Sequence, residues 1–379
     1  MTITRIETRT TRMPLSRTTR MSTRLLDKRD FVILTVETDD SAEVGVGYAY
    51  AGTAGGPLLA QAVHELLEPL LKGADSADIT ALWERMYQDT LLAGRRGVLL
   101  RAISAVDVAL WDLAAKRHGA PLAQLLGGSV GTVPAYASGG YYRPDDGTWL
   151  EAVVREIDFN KSLGFRDHKI KVGGLHPEED AKRVRAAIEA IGGDGRLALD
   201  ANNAYQSVAE ATRAIRLFER AAGDSGLWWV EEPLTPDSIL GHAQLASRVE
   251  TPIATGEIAQ TRWEFRELLE RRAADVLQPD AGVLGGVTEW MRVAHAAETF
   301  GVPVAPHWHA NLHVHLAAAV TNCIAIEHFA LDKDIYNFEA LLTEETRLAF
   351  ADGVLQVPQR PGLGIEFDAE AVSRYELTQ

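Results

Sequence analysis

The chain has 379 residues, 46% of them hydrophobic and 24% charged, with a formal net charge of −15 and one cysteine, Cys323. This acidity argues against a nucleic-acid-binding protein, which needs a basic face, and no stretch reaches the roughly 18 apolar residues of a membrane span. A single cysteine excludes an intrachain disulfide and, with no apolar run of a secretory signal near the start, predicts a cytoplasmic protein.

Residues 1–131 are predicted to form an α+β domain. Strand-like segments come first: an alternating stretch around Ile3 and Ile6, then FVILTVETDD and AEVGVGYAYA. Helical spacing follows in three segments, GPLLAQAVHELLEPLL, DITALWERMYQDT and GVLLRAISAVDVALWDLAAKRHG, the last of which ends at Gly119.

From residue 132 the pattern changes to short apolar runs that alternate with amphipathic segments. We count eight runs: VPAYASGG, HKIKVGG, LALDANN, LWWVEEP, PIATGE, DVLQPD, PVAPHW and CIAIEHF. Strands that alternate with helices are typical of a parallel α/β sheet, and eight of them predict a TIM-type (β/α)8 barrel over residues 132–355. The tail, residues 356–379, no longer alternates, and we expect it to pack back on the first domain.

Polar residues fall at the carboxyl ends of successive runs, which is where a barrel carries its active site. Any one of them alone is best interpreted as a solvent-facing residue. A series along seven consecutive strands is hard to obtain by chance and predicts a functional mouth. The series comprises Lys169, Lys171, Asp200, Asn202, Glu231, Glu257, Asp280, His307 and Glu327.

Asp200, Glu231 and Glu257 follow three adjacent runs, so their carboxylates can meet at one point. Three unpaired carboxylates repel one another, and a hard dication with oxygen ligands, Mg²⁺ rather than zinc, resolves that repulsion. Glu232 points to the opposite side of its strand, which leaves one ligand in the Glu231–Glu232 pair. The alternative is a set of solvated or arginine-paired acids.

Lys169 and Lys171 are two positions apart, so both face the mouth. Two ammonium groups near each other and near a dication each lose affinity for the proton, which lets a lysine act as a base; the alternative is a salt-bridged pair. His307 ends the seventh run with Asp280 as its nearest acid, and a carboxylate on one ring nitrogen fixes the tautomer for proton transfer. The four histidines of PHWHANLHVH also permit a second metal cluster, but we expect the later ones to be structural groups or substrate contacts.

With these residues assembled, the chain resembles the enolase superfamily and, within it, the mandelate racemase subgroup. The KxK, D, E, E, QPD, PHWH and IEHF of runs two to eight match in order. RAISAVDVALWDLAAK is similar to the helix that closes the family's capping domain, and PGLGIEFD is similar to its tail. The resemblance implies a modified (β/α)7β barrel with an α+β cap, and we expect a homo-oligomer.

On this resemblance the three carboxylates named above correspond to the ligands of one Mg²⁺ ion. Lys171 matches one general acid/base, and His307, backed by Asp280, matches the other on the opposite face. Lys169 and Glu327 match groups that hold and polarise the substrate carboxylate. The partner is then a small-molecule carboxylate whose α-proton is removed through an enediolate.

Dehydration of an acid sugar, an aldonate or aldarate, to a 2-keto-3-deoxy acid is the predicted outcome, because many relatives with this pattern act on such acids. Racemisation or epimerisation of an α-hydroxy acid uses the same constellation. A metal-dependent barrel hydrolase is suggested by the spacing of His307 and His309, although such enzymes usually carry this pair on the first strand. A catalytically inactive binding protein is expected to have lost a ligand or a base.

Loops beyond the strands supply the remaining predicted substrate-binding residues, which are Tyr141, Arg143, Asn202 and His309. Polar groups there suit a chain of hydroxyls better than a phenyl ring. The first 30 residues are basic, against the trend of the chain, so Arg17, Arg20 or Arg24 is expected on a loop over the mouth, where it could bind a distal carboxylate. The alternative is a solvated strand and loop.

Overall fold

The computed structural model describes residues 1–377 apart from 41, 144–146, 194 and 332–333. We call residues 1–131 the cap. The strands and helices predicted there are confirmed, with one π-helical turn, Val63–Leu67, inside the first helical segment. The cap elements are β1 (Ile3–Arg20), β2 (Leu25–Thr38), β3 (Gly45–Tyr50), α1 (Gly56–Ala62), α2 (Glu68–Leu71), α3 (Ile79–Asp89), α4 (Val98–Arg117) and α5 (Leu122–Leu125).

The three strands form an antiparallel sheet of order β1-β2-β3, and the buried helix α4 packs against β3. This packing requires glycine in the strand. A Cβ atom on Gly45 would lie 2.3 Å from the carbonyl oxygen of Ala109, and one on Gly47 would lie 2.1 Å from that of Ala105. The glycines of GVGYAY therefore let the alanine-rich helix approach the sheet backbone.

The second part of the chain is an α/β barrel. Its elements are β4 (Thr132–Gly139), α6 (Trp149–Ser162), β5 (His168–Lys171), α7 (Pro177–Ile191), β6 (Leu197–Asp200), α8 (Val208–Ala222), β7 (Val230–Glu231), α9 (Ile239–Ala246), β8 (Ile253–Thr255), α10 (Thr261–Glu270), β9 (Val276–Leu277), α11 (Ala281–Leu284), α12 (Gly286–Thr299), α13 (Ala310–Ala317), β10 (Ile326–His328), β11 (Phe350–Ala351), β12 (Val354–Gln356) and α14 (Ala369–Tyr375).

Strands β4 to β9 are parallel neighbours in chain order, and β10 pairs with β4. The seventh run contributes Val304, which bridges Leu277 on one side and Cys323 on the other, so the ring closes. Short 3-10 turns, Phe338–Leu341 and Glu344–Thr346, follow β10 where the other strands are followed by helices. The predicted (β/α)7β barrel is confirmed.

Local signals set the barrel helices in place. Helix α6 begins with a capping box between Thr148 and Glu151, and α7 begins at Pro177 with three acidic residues in its first turn. Each feature satisfies or complements the free N–H groups of a helix start. No helix among the described residues is long and apolar enough to cross a bilayer.

The tail returns to the cap after one more strand in the barrel sheet. β12 pairs antiparallel with β4, across the position where the sequence places the boundary at residue 355. Farther along, the N–H of Leu363 donates to Asp112 of α4 at 2.7 Å, and the N–H of Leu377 donates to the carbonyl of Thr10 in β1 at 2.8 Å. Hydrogen bonds thus connect the last part of the chain to helix α4 and to the sheet of the cap.

Candidate active site

A cavity of about 400 Å³ lies where the carboxyl ends of the barrel strands face the cap. The residues that line it on the barrel side are Tyr141, Lys171, Asn202, Glu257, His307, Trp308 and Glu327. The larger side chains that line it on the cap side are Met21, Arg24, Leu25, Leu26, Arg29 and Tyr50. Barrel and cap therefore form opposite walls of one site, which we call the barrel wall and the cap wall.

The three carboxylates predicted to bind a metal meet at this mouth. One oxygen each of Asp200, Glu231 and Glu257 lies within 4.8 Å of the others. Asp200 and Glu231 end neighbouring strands and are directly paired in the parallel register. Both are fully buried, whereas the side chain of Glu257 is 12% exposed, toward the cavity.

The donor set fits a hard divalent cation. Oε2 of Glu257 is buried and has no hydrogen-bond partner among the described residues. Burial raises the pKa of Glu231 to about 8, even beside Lys169, and burial also raises the pKa of Glu257. Burial acts in the same direction on Asp200, but Lys171 and Lys169 outweigh it and lower the pKa of that carboxyl. The protein therefore disfavours the charged forms of the two glutamates at this point, and a cation with oxygen ligands would relieve both burial and repulsion.

Glu232 is turned away from this group. Its backbone adopts a positive φ of 45°, and its carboxylate accepts hydrogen bonds from Thr255 Oγ1 at 2.5 Å and from Asn203 Nδ2. Both of its oxygens are thus used in binding the ends of neighbouring strands together. Only the first acid of the pair faces the mouth, as the strand alternation predicts.

The two lysines of β5 are buried side by side and bonded to carboxylates. Lys169 Nζ lies 2.6 Å from Glu231 and 2.8 Å from Glu327, and Lys171 Nζ donates to Asp200. Burial lowers the pKa of Lys171, but Asp200, Tyr141 and Glu231 together outweigh it, so the pKa lies above its ordinary value. The side chains alone therefore favour the charged lysines, as in the salt-bridged alternative. The expected loss of proton affinity depends on the positive charge of a bound dication, which would act in the lowering direction, and it stays a prediction.

His307 stands across the cavity from β5. Its Nδ1 lies 2.9 Å from Asp280 Oδ2, and its Nε2 lies 3.7 Å from Glu257 and 4.0 Å from Glu327. Burial works against the imidazolium, but Glu257 and the hydrogen bond to Asp280 raise the pKa of His307 to about 9. The ring is therefore oriented by Asp280 and favours its protonated form, with Nε2 directed to the mouth.

The remaining predicted residues divide into two groups. Tyr141, Asn202 and Arg24 line the cavity, and the buried Oδ1 of Asn202 has no partner among the described residues. The other three predicted residues, Arg20, Arg143 and His309, are not part of this lining.

Each residue of the second group is engaged elsewhere. Arg20 donates to the carbonyl of Gly174, and buried Arg143 donates to Thr19 at 3.0 Å. His309 is fully buried, with its ring 5.2 Å from that of Tyr48. Packing between cap and barrel thus holds these side chains outside the cavity.

Sequence reasoning missed two residues that the fold brings to the site. Gln278 Nε2 donates to Glu231 at 2.6 Å, and Arg29 lines the cavity from β2. The QPD motif contains Gln278, so its place at the mouth, two strands from Glu231, could have been predicted. Arg29 lies in an ordinary strand segment, DKRDF, and no local signal distinguishes it.

Comparison with known proteins places this geometry in a family. Residues 2–127 match the family model of the mandelate racemase / muconate lactonizing enzyme N-terminal domain, and residues 152–372 match that of the enolase C-terminal domain-like family. Arabinonate dehydratase of Saccharolobus solfataricus is 39% identical over 309 residues, which cover 80% of this chain and 79% of that one.

Two solved structures superpose over the whole chain. A racemase from Streptomyces coelicolor with bound magnesium has a TM-score of 0.90 at 32% identity, covering 99% of this chain and 100% of that one. An L-talarate dehydratase from a Polaromonas species, in complex with Mg and L-glucarate, has a TM-score of 0.88 at 34% identity, covering 100% and 98%. The chain belongs to the mandelate racemase / muconate lactonizing enzyme family of the enolase superfamily.

Proposed function

We propose that this protein is a magnesium-dependent dehydratase of acid sugars, which removes the proton α to a carboxylate and releases a β-hydroxyl as water. One observation carries the proposal. Two proton-transfer groups, Lys171 and the His307–Asp280 pair, face one cavity from different sides beside the carboxylates of Asp200, Glu231 and Glu257.

These three carboxylates would hold Mg²⁺, which when bound supplies a Lewis acid's positive charge to the substrate carboxylate. Lys169 adds a fixed ammonium group next to it, held between Glu231 and Glu327. A hydrogen-bond donor held in place before the reaction stabilises negative charge as it develops on the carboxylate. Lys169 therefore binds and orients the acid group, and Glu327 holds the ammonium group of Lys169 in position.

The proton steps follow from the positions of the two bases. When the α-proton faces Lys171, its amine takes that proton, and the electron pair moves into the carboxylate as an enediolate. His307 then donates its Nε2 proton to the β-hydroxyl, the C–O bond breaks and water leaves. The resulting enol takes a proton at the neighbouring carbon, releases its hydroxyl proton and becomes the 2-keto-3-deoxy acid.

Racemisation is the second candidate, and the make-up of the cavity favours it in part. Met21, Leu25 and Leu26 give the cap wall an apolar portion that suits a less hydroxylated acid. Asn202, Tyr141 and two arginines offer hydrogen bonds to a polyol chain. A family member with a TM-score of 0.90 is itself named a racemase.

The hydrolase alternative is not supported by the positions of the histidines. The metal-binding group found among the described residues consists of carboxylates only, and His309 is buried away from it against Tyr48. An inactive binding protein is also disfavoured, because every ligand and base of the constellation is retained. We further infer that the protein is cytoplasmic and that it forms a homo-oligomer. Gel filtration with light scattering would test the oligomeric state.

The decisive experiment is a screen of aldonates and aldarates with the Mg²⁺-loaded protein, with 2-keto product followed as the semicarbazone. β-Unsubstituted α-hydroxy acids such as mandelate are followed in parallel by polarimetry. We expect a 2-keto-3-deoxy acid to accumulate from at least one acid sugar. If the protein turns over a β-unsubstituted acid rapidly and leaves every acid sugar unchanged, racemisation replaces dehydration as the proposed function.

A further inference from the structure

Arg29 is a buried cation of the cap that opens onto the active-site cavity. It is 3% exposed and lies in β2. Its Nε donates to the carbonyl of Ile335 at 2.6 Å, its Nη1 donates to the hydroxyl of Tyr50 at 2.8 Å, and its guanidinium carbon lies 4.4 Å from the ring centre of Trp308. All of these partners are neutral.

Arg29 has no carboxylate within 4.0 Å anywhere in the described part of the chain, although the protein as a whole is strongly acidic. Other guanidiniums show the usual arrangement. Arg183 is 2% exposed and forms an ion pair with Asp180 at 2.9 Å. Asp30, the residue next to Arg29, forms its ion pair with Arg12. Because a buried charge is costly unless it is paired, the missing counter-ion of Arg29 is most simply supplied by the ligand.

The position of Arg29 defines where that anion lies. The indole of Trp308 stacks on the imidazole of His307, with ring centres 5.7 Å apart, and the guanidinium lies against the same indole. The reacting carbon lies beside His307 and Lys171. An anionic group on Arg29 therefore lies at the cap side of the cavity, opposite the barrel residues Lys171, Glu257 and His307 that surround the reacting carbon.

We propose that Arg29 binds the second carboxylate of the substrate, so that this enzyme prefers aldarates, which carry a carboxylate at both ends, over aldonates, which end in a hydroxymethyl group. The inference rests on the proposed dehydratase function and names its substrate class. A guanidinium can bind a carboxylate through two parallel hydrogen bonds, and an aldonate leaves this charge buried without a partner. Arg24, which also lines the cavity, is exposed, so solvent weakens its contribution.

The test compares a six-carbon aldarate with the aldonate of the same configuration in wild type, Arg29→Met and Arg29→Lys. Arg29→Met should lower kcat/KM for the aldarate about 30-fold or more, as for other desolvated charge pairs, and change that for the aldonate much less. Arg29→Lys keeps the positive charge but lacks the two parallel N–H groups of a guanidinium, so it should recover part of the preference for the aldarate. Arg101→Met is the matched control. Arg101 also contacts Tyr50, because its Nη1 donates to the carbonyl oxygen of Tyr50 at 2.9 Å, but it lies outside this cavity.

A second measurement separates this inference from the dehydratase proposal. Thermal shifts of the Mg²⁺-loaded proteins are recorded with the same two acids, which requires no turnover. Stronger stabilisation by the aldarate in wild type that disappears in Arg29→Met supports the role of Arg29, even if no 2-keto product forms and dehydration fails. Equal losses for both acids in Arg29→Met, or a wild type that binds and dehydrates the aldonate as well as the aldarate, would overturn the inference while leaving dehydration intact.

Discussion

The barrel wall of the cavity holds its charged groups in mutual contact, whereas the cap wall presents two guanidiniums, Arg24 and Arg29, without a carboxylate within 4.0 Å among the described residues. Each cation of the barrel wall lies against an acid, Lys171 on Asp200 and His307 on Asp280. Lys169, buried behind this wall, lies against Glu231.

In the proposed mechanism, this difference separates the residues that act on the reacting carbon from those that recognise the substrate. Groups that transfer protons or stabilise charge must be oriented before the substrate arrives, and mutual contacts in a buried site provide that orientation. Groups that select a substrate need partners left open for it, because an arginine already paired within the protein gains little from a new anion. The two walls can therefore be tested separately, by whether a change affects all substrates or only some.

The largest effect is expected from removing a proposed metal ligand of the barrel wall. Glu257→Gln keeps the shape of the side chain but removes its charge, so Mg²⁺ binding measured by calorimetry should be lost and turnover of every substrate should fall to background. Exhaustive EDTA treatment of the wild type should do the same, reversibly. Glu232→Gln is the control, because Glu232 bonds to Thr255 and Asn203 and should not be a ligand. Mg²⁺ binding that survives in folded Glu257→Gln would remove the metal role.

Replacing either of the two proposed bases, Lys171 and His307, should cause a smaller loss of activity, and the two variants should lose activity toward opposite configurations of the substrate. General acid–base groups contribute about 10²- to 10⁴-fold to a rate. His307→Asn should lose exchange of the α-proton with deuterium for acids whose proton faces His307 and retain it for acids that Lys171 deprotonates. Lys171→Ala should do the reverse. NMR of α-hydroxy acids of both configurations in deuterated water measures this.

A single result would contradict this division of labour. If either variant loses exchange for every acid tested, while circular dichroism and Mg²⁺ binding remain those of wild type, the two residues do not act from separate faces. The Mg²⁺ measurement matters for Lys171, because its ammonium group is bonded to Asp200 and its loss leaves that carboxylate without its cation.

The same contrast explains what could be predicted from sequence. Strand alternation places Lys169 and Lys171 on one side, and the convergence of parallel strand ends brings Asp200 and Glu231 together, so local rules were sufficient for the barrel wall. The cap wall depends on how two separately formed units dock. Arg20 binds the carbonyl of Gly174 outside the cavity, and no short-range pattern predicts that contact.

A modest effect is expected at Arg24 on the cap wall. This side chain is exposed and makes one long hydrogen bond of 3.5 Å to Asn203, so an anion that it binds is screened by water. Arg24→Ala should raise KM about two- to five-fold, as for other exposed ion pairs, with little change in kcat. The rise should be larger for the full substrate than for a truncated acid that lacks the distal groups. Equal changes in KM for both acids would show that Arg24 contributes no specificity.

The smallest effect is expected at the junction of cap and barrel, and it is measured as a change in thermal stability. Asp107 of α4 is buried and accepts two hydrogen bonds from Thr288 of α12, at 2.9 Å from the backbone N–H and 2.6 Å from the hydroxyl. Burial raises the pKa of Asp107 to about 7, against an ordinary value of 3.8. The folded protein therefore binds a proton that the unfolded chain releases between these two values. This contribution to stability is complete below pH 3.8 and is lost as the pH rises through about 7.

Asp107→Asn removes that titration. The difference in Tm between the variant and wild type, measured by calorimetry, should therefore move in favour of the variant by a few degrees as the pH is raised from 5 to 8. Asp39→Asn is the control. The backbone N–H of Thr2 donates to Asp39 at 2.9 Å and lowers the pKa of that carboxyl, so its contribution is lost only as the pH falls below this range. Asp39→Asn should therefore shift Tm equally at both pH values. Parallel profiles for wild type and Asp107→Asn would mean that Asp107 stays ionised in the folded protein and that its two hydrogen bonds to Thr288 outweigh the cost of burying its charge.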